Sequence, residues 1–173
     1  MKGAKALKKI ISFIMITLLL CGCAKETSKV KPVTSGISFT ARITWYNEVF
    51  VCTGEISNQT KATFEINEPE DIKELKITCD GDNVTASFKG LQEEYDISKT
   101  PFSFICAEVY GALRDTWRED IEVAEKEQQL YIEGRANEED YKMIIAPTGL
   151  PLSLEIPNES FMVIFEDVKI INE

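Results

Sequence analysis

No histidine occurs anywhere in the chain. That absence excludes histidine-dependent catalytic triads, imidazole acid–base chemistry and histidine-ligated zinc. Cysteine is sparse and its spacing matches no metal knuckle, so neither a metal nor a cofactor is expected. Positive charge is in deficit as well: 19 Lys and Arg stand against 29 Asp and Glu, a net charge of −10. A surface of that sign repels phosphate backbones, so no nucleic-acid partner is expected. No apolar run reaches the ~20 residues that a membrane-spanning helix needs. Nor is an enzyme expected. The carboxylate pairs Glu93-Glu94 and Glu138-Glu139 would serve glycoside chemistry only if set across a cleft. Asp80-Gly81-Asp82-Asn83 lacks the other ligands of a ~12-residue calcium loop and reads as a hairpin turn.

What is present is concentrated first at the N-terminus. Lys2, Lys5, Lys8 and Lys9 precede a largely apolar stretch, Ile10 to Leu20, which runs into Leu20-Cys21-Gly22-Cys23. A basic start, a short apolar core and a small residue before a cysteine are the parts of a bacterial lipoprotein export signal. Residues 1–22 are read as a signal peptide whose removal leaves a diacylated Cys23 at the new N-terminus. Each buried methylene contributes about 0.8 kcal/mol, so two acyl chains anchor stably where one is marginal. The expected location is extracytoplasmic, held to the cell membrane by diacylglycerol on Cys23. Residues 24–36 are polar without apolar periodicity. Residues 23–36 are therefore read as acylated cysteine and flexible tether, reaching ~20 Å, and 37–173 as one folded domain. Losing the four leader lysines leaves 15 basic against 29 acidic residues, a balance of −14.

In that mature chain Cys52, Cys79 and Cys106 remain, an odd number that permits at most one internal disulfide. Their apolar neighbours favour buried thiols, with a bridge between two of them left open.

The body alternates apolar and polar residues with period two, the mark of half-buried strands. Phe39, Ala41, Ile43 and Trp45 interleave with Thr40, Arg42 and Thr44. The segments 49–56, 62–66, 75–79 and 84–88 continue the series, as do 129–133, 141–146, 150–156 and 161–170, giving eight to ten strands. Between these halves Pro101 follows a good N-cap, Thr100, and Phe102, Ile105, Cys106, Val109, Ala112, Leu113 and Trp117 recur at helical spacing. A shorter helix is predicted over 69–74, where Glu70 and Asp71 suit the positive end of the backbone dipole. Strands, one amphipathic helix, then strands describe an α+β domain: a curved, open antiparallel sheet, a half-barrel, wrapped around one main helix.

Two stretches resemble the outer-membrane lipoprotein carrier family and its relatives, the periplasmic sigma-factor regulators and clostridial germination lipoproteins. One is Thr63-Phe64-Glu65-Ile66 through Leu75-Lys76-Ile77 with Asp80-Gly81. The other is Ala146-Pro147-Thr148-Gly149-Leu150-Pro151-Leu152 leading to Phe161-Met162-Val163-Ile164-Phe165, with a Gly-x-Pro turn entering the closing hairpin. The long N-terminal helix common in that family has no counterpart before Ile37. The resemblance implies an apolar concavity between sheet and helix that takes a lipid or other apolar ligand. Alternation places Phe39, Ile43, Trp45, Phe64, Phe88, Leu152 and Phe161 on its inner face, opposite Val109, Leu113 and Trp117; for each of these plain core packing is the favoured reading, since an inward aromatic fills a core more often than it lines a ligand site. The sequence thus leaves two functions standing: an anchored lipoprotein that binds an apolar ligand, or a tethered module that regulates an envelope protein.

Overall fold

The computed structural model describes residues 26–58, 60–81, 83–96 and 101–171; the leader, Cys23 and the expected cap Thr100 lie outside them. Twelve strands form one open antiparallel sheet: β1 (Glu26–Thr27), β2 (Ile37–Trp45), β3 (Glu48–Asn58), β4 (Lys61–Glu68), β5 (Lys76–Asp80), β6 (Asn83–Phe88), β7 (Leu91–Asp96), β8 (Ala124–Lys126), β9 (Gln129–Ala136), β10 (Glu139–Ile145), β11 (Pro151–Ile156) and β12 (Phe161–Ile170). Their spatial order is β1-β8-β9-β10-β11-β12-β2-β3-β4-β5-β6-β7. Two meanders, β2–β7 and β8–β12, are joined where β12 pairs with β2 from Phe161↔Trp45 to Ile170↔Ile37. The predicted α+β architecture is the one observed.

Helix α1 (Pro101–Asp115) links the two meanders and packs against β5 and β9, strands far apart in the sheet order. The sheet therefore curls so that both flanks meet one helix. Ile105, Cys106, Val109, Ala112 and Leu113 are buried against Ile43, Phe64, Ile77, Ile132 and Met143 in a single apolar core. Thr116 and Trp117 follow the helix, with the Thr116 hydroxyl donating to the Leu113 carbonyl at 2.7 Å. The 69–74 helix is instead one 3-10 turn, Glu70–Ile72, with Lys73 N–H bonded to the Glu70 carbonyl. Of these residues only Ile72 packs on the core, and it is half-buried, too little packing to support a longer helix.

Alternation sets the inner face as expected on β2, where Ile37, Phe39, Ala41 and Ile43 are buried. Gly54 on β3 sits opposite Phe39 and Phe64. A Cβ there would lie 2.3 Å from the Phe39 ring, so glycine makes room for Phe39 to meet Phe64 and Phe165 edge-on, at 6.2 and 5.2 Å. Among the described residues, two-residue turns include Tyr46-Asn47, Lys89-Gly90, Glu127-Gln128 and Asn137-Glu138. In the last three, both central residues have positive φ, the twist that matches flanking strands.

Residues 26–36 are not free of the body. Thr27 pairs with Ala124, Ser28 N–H donates to the Val123 carbonyl at 2.8 Å, and Val33 N–H donates to Gly149 at 3.1 Å. Val30 and Val33 pack on the core, and the Gly36 carbonyl accepts from Ile171 at 2.9 Å. The segment read as a tether is thus docked from Glu26 onward. Its polarity concealed two valines spaced to reach the core and a backbone that completes the sheet edge.

Candidate functional site

Most of the predicted ligand-lining residues do come together on the concave side. Phe39, Ile43, Phe64, Val109, Leu113, Trp117 and Phe161 are all buried. They fill that side rather than line a vacancy: Ile43, Phe64 and Val109 are 0 % exposed, which leaves no water-sized gap beside them. Trp45 and Phe88 lie at strand ends and are only half-buried. Leu152 is a correction: it points outward and is 45 % exposed. Ile144 pairs with Ser153 but Ile145 pairs with Pro151, so Leu152 is the extra residue of a bulge and leaves the inward parity that Leu154 and Ile156 keep. Cys52, Cys79 and Cys106 are free and buried, and desolvation pushes the first two thiols up to about 12 and lifts Cys106 well above its ordinary value. Reactive thiolate chemistry is thereby disfavoured.

Two surfaces stand out once the interior is accounted for. On the outer face, Met162 lies opposite Thr44, which lies opposite Val49, and Ile164 lies opposite Ser153 beside Leu152. Val49, Leu152, Met162 and Ile164 are each at least 44 % exposed. These aliphatics, on β11, β12 and β3 with Thr44 of β2 between the last two, make a patch, unlike the scattered single residues usual on a surface.

The second surface is a cleft of about 420 Å³ between the C-terminal half of α1 and the β9–β10 turn, lined by Gly111, Arg114, Asp115, Trp117, Arg118, Arg135, Ala136 and Asn137. Of the four arginines in the sequence, only Arg42 lies elsewhere. Arg114 lies in the last turn of α1, the turns that follow the helix carry Arg118 alongside, and β9 brings Arg135 to the opposite wall. Arg118 bonds Asp120 at 2.7 Å and Asp115 at 3.1 Å, which holds its guanidinium protonated and the Asp120 carboxyl below its usual range. Tyr141 donates to the other Asp115 oxygen at 2.8 Å. Burial first, then that bonded carboxylate, raises the phenol's pKa. Arg135 spans the turn to the Glu138 carbonyl at 2.9 and 3.0 Å, and Arg114 lies over the Tyr110 ring at 5.5 Å.

Beneath this cleft Glu108 is 1 % exposed, and its Oε2 has no hydrogen-bond partner among the described residues. Desolvation lifts its pKa to about 7, opposed by a hydrogen bond with Asn137 and reinforced by Glu139 and Glu159. The Asn137 amide also donates to the Ala107 carbonyl at 3.0 Å. A Cβ on Gly111 would come within 2.6 Å of that amide, so the glycine seats the turn on the helix. Sequence inspection missed this cleft because its arginines are seventeen or more positions apart across β9. The one available signal was the i, i+4 pair Arg114 and Arg118 in a chain with few arginines. The carboxylates Glu138 and Glu139 sit in the hairpin closing β9 and β10, and no acidic cluster able to hold a metal occurs among the described residues.

No protein-family model matches the chain, and no curated protein matches it. Solved structures do. An uncharacterized conserved protein from Thermus thermophilus is similar with a TM-score of 0.51 at 8% identity, covering 82% of each chain. A LolA superfamily protein from Nitrosomonas europaea scores 0.48 at 9% identity over 84% of this chain and 90% of its own. A DUF1329 family protein from Desulfovibrio piger scores 0.46 at 10% identity over 79% and 85%. These likenesses concern the fold alone.

Proposed function

We propose that this protein is a membrane-anchored extracytoplasmic lipoprotein that acts as a tethered, non-enzymatic interaction module on an envelope protein. The observation that carries this reading is the filled interior: with Ile43, Phe64 and Val109 fully buried, recognition falls to the outer surfaces. The patch formed by Val49, Leu152, Met162 and Ile164 suits a partner with an apolar face. The acidic balance of the chain suits a basic rim around it. Anchoring rests on Leu20-Cys21-Gly22-Cys23 and its basic, apolar lead-in.

A second reading is supported by the wholly apolar inner face, which one described helix covers: α1 swings aside and a lipid or other apolar ligand takes its place. One experiment separates the two. A photocrosslinking residue at Ile164 is introduced into the protein in its own host cells, and native mass spectrometry is run on the extracted protein. A single envelope-protein adduct that disappears with Met162→Glu is expected. One-to-one bound lipid with no adduct at Ile164 would replace the first reading by the second.

A further inference from the structure

The cleft beside α1 gathers three of the four arginines of an acidic molecule. Three guanidiniums, Arg114, Arg118 and Arg135, share its walls with the single carboxylate of Asp115. Arg118 is committed to Asp115 and Asp120. Arg135 spends its Nε and one terminal nitrogen on the Glu138 carbonyl, with Asp140 4.0 Å away. Arginine carries five N–H donors, so both Arg114 and Arg135 keep donors to spare. Trp117 and Ala136 add an apolar wall.

We propose that this cleft binds a small phosphate ester, with Arg114 and Arg135 gripping the phosphoryl oxygens from opposite sides and Trp117 flanking the organic part. A phosphoryl group matches this arrangement better than a carboxylate does. It presents three oxygens and close to two charges, enough to engage forks on two walls, whereas one carboxylate is filled by a single fork. The volume lies within the ~300–1,000 Å³ of small-molecule sites.

Position bears on the source of the phosphate. Glu26 pairs with Glu125, which pairs with Leu130, and Arg135 is five residues further along β9. At ~3.3 Å per residue the cleft stands about 17 Å from the end where the chain enters the sheet. If Cys23 carries the anchor, the cleft faces away from the anchoring leaflet, which favours a free phosphate ester over a headgroup.

Trp117 is one of two tryptophans, so Trp45→Phe leaves it the sole indole reporter. The full chain carrying Trp45→Phe, in uncharged detergent, is titrated with glycerol 3-phosphate, with inorganic phosphate, and with phosphatidylglycerol nanodiscs, against sodium chloride at matched ionic strength. Saturable emission change with glycerol 3-phosphate is expected. Arg114→Gln, on the exposed side of α1, should weaken it about ten- to hundredfold, and Arg42→Gln should leave it unchanged. Saturation by nanodiscs alone upholds the site and makes the headgroup its ligand. No saturation by any phosphate, an equal response to chloride, or equal loss in Arg42→Gln overturns the proposal. Arg135→Gln adds a second test from the other wall; if loss of its Glu138 bonds unfolds the turn, Arg114→Gln decides alone.

Discussion

Glu108 is the residue at which this fold is most sensitive to pH. It faces Asn137 in the β9–β10 turn, Glu139 on β10 and Glu159 in the turn before β12, with no cation among the groups that shift it. Its folded pKa of about 7 lies above the 4.5 of the free side chain. As pH rises from 4.5 to 7, the unfolded chain has released the proton while the folded chain still holds it, so stability falls across that window. The loss is on the order of 3 kcal/mol. Glu108→Gln should flatten this dependence and raise stability above pH 7, as read from urea midpoints at pH 4.5, 6 and 8. An unchanged slope would show that the carboxyl ionises freely in the folded state.

Among the elements, the β10–β11 turn carries more than a change of direction. Gly149 has φ +84°, and a Cβ there would lie 2.3 Å from the Lys31 carbonyl oxygen. Two constraints therefore demand glycine: left-handed backbone, and the passage of residues 31–33 over it. Gly149→Ala should cost about 2 kcal/mol or more and free residues 26–33 for proteolysis while the rest of the sheet stays protected. Amide hydrogen exchange at Ser28 and Val33, whose N–H groups bond Val123 and Gly149, measures this directly.

The same elements explain what sequence could and could not reveal. Alternation located nine of the twelve strands because each has one buried face, and helical spacing located α1 for the same reason. It missed β7, whose Gln92-Glu93-Glu94 gives no alternation, and β1 and β8, which are two and three residues long. Leu152 was inverted because parity counting assumes unbroken pairing, and the bulge at Ile144/Ile145 breaks it. The filled concavity was beyond reach as well. The same apolar residues line a ligand space or close it, depending on how near the helix lies.

For the whole molecule, the two ends of the sheet have different neighbours. The Glu127-Gln128 and Thr148-Gly149 turns lie at the end where the chain enters; the Asn137-Glu138 and Pro157–Glu159 turns lie at the other. If the lipid anchor is at Cys23, resonance energy transfer to labelled lipid headgroups should be strong from a dye on Gln128→Cys and weak from one on Glu138→Cys. Burial of Cys52, Cys79 and Cys106 keeps the native thiols from competing for dye. Equal transfer from both sites would mean that the body tumbles freely on its attachment.

The docked segment Glu26–Gly36 has a consequence for how such a molecule searches for what it meets. Three peptide units separate Cys23 from Glu26, a span of at most about 10 Å. If Cys23 is acylated, as we propose, the protein is held on so short a leash that it explores a plane instead of a volume. Its encounters are set by lateral drift, and its outer face stays at nearly one height above the lipid. A partner whose matching surface stands well above that layer would never be touched, however complementary it was.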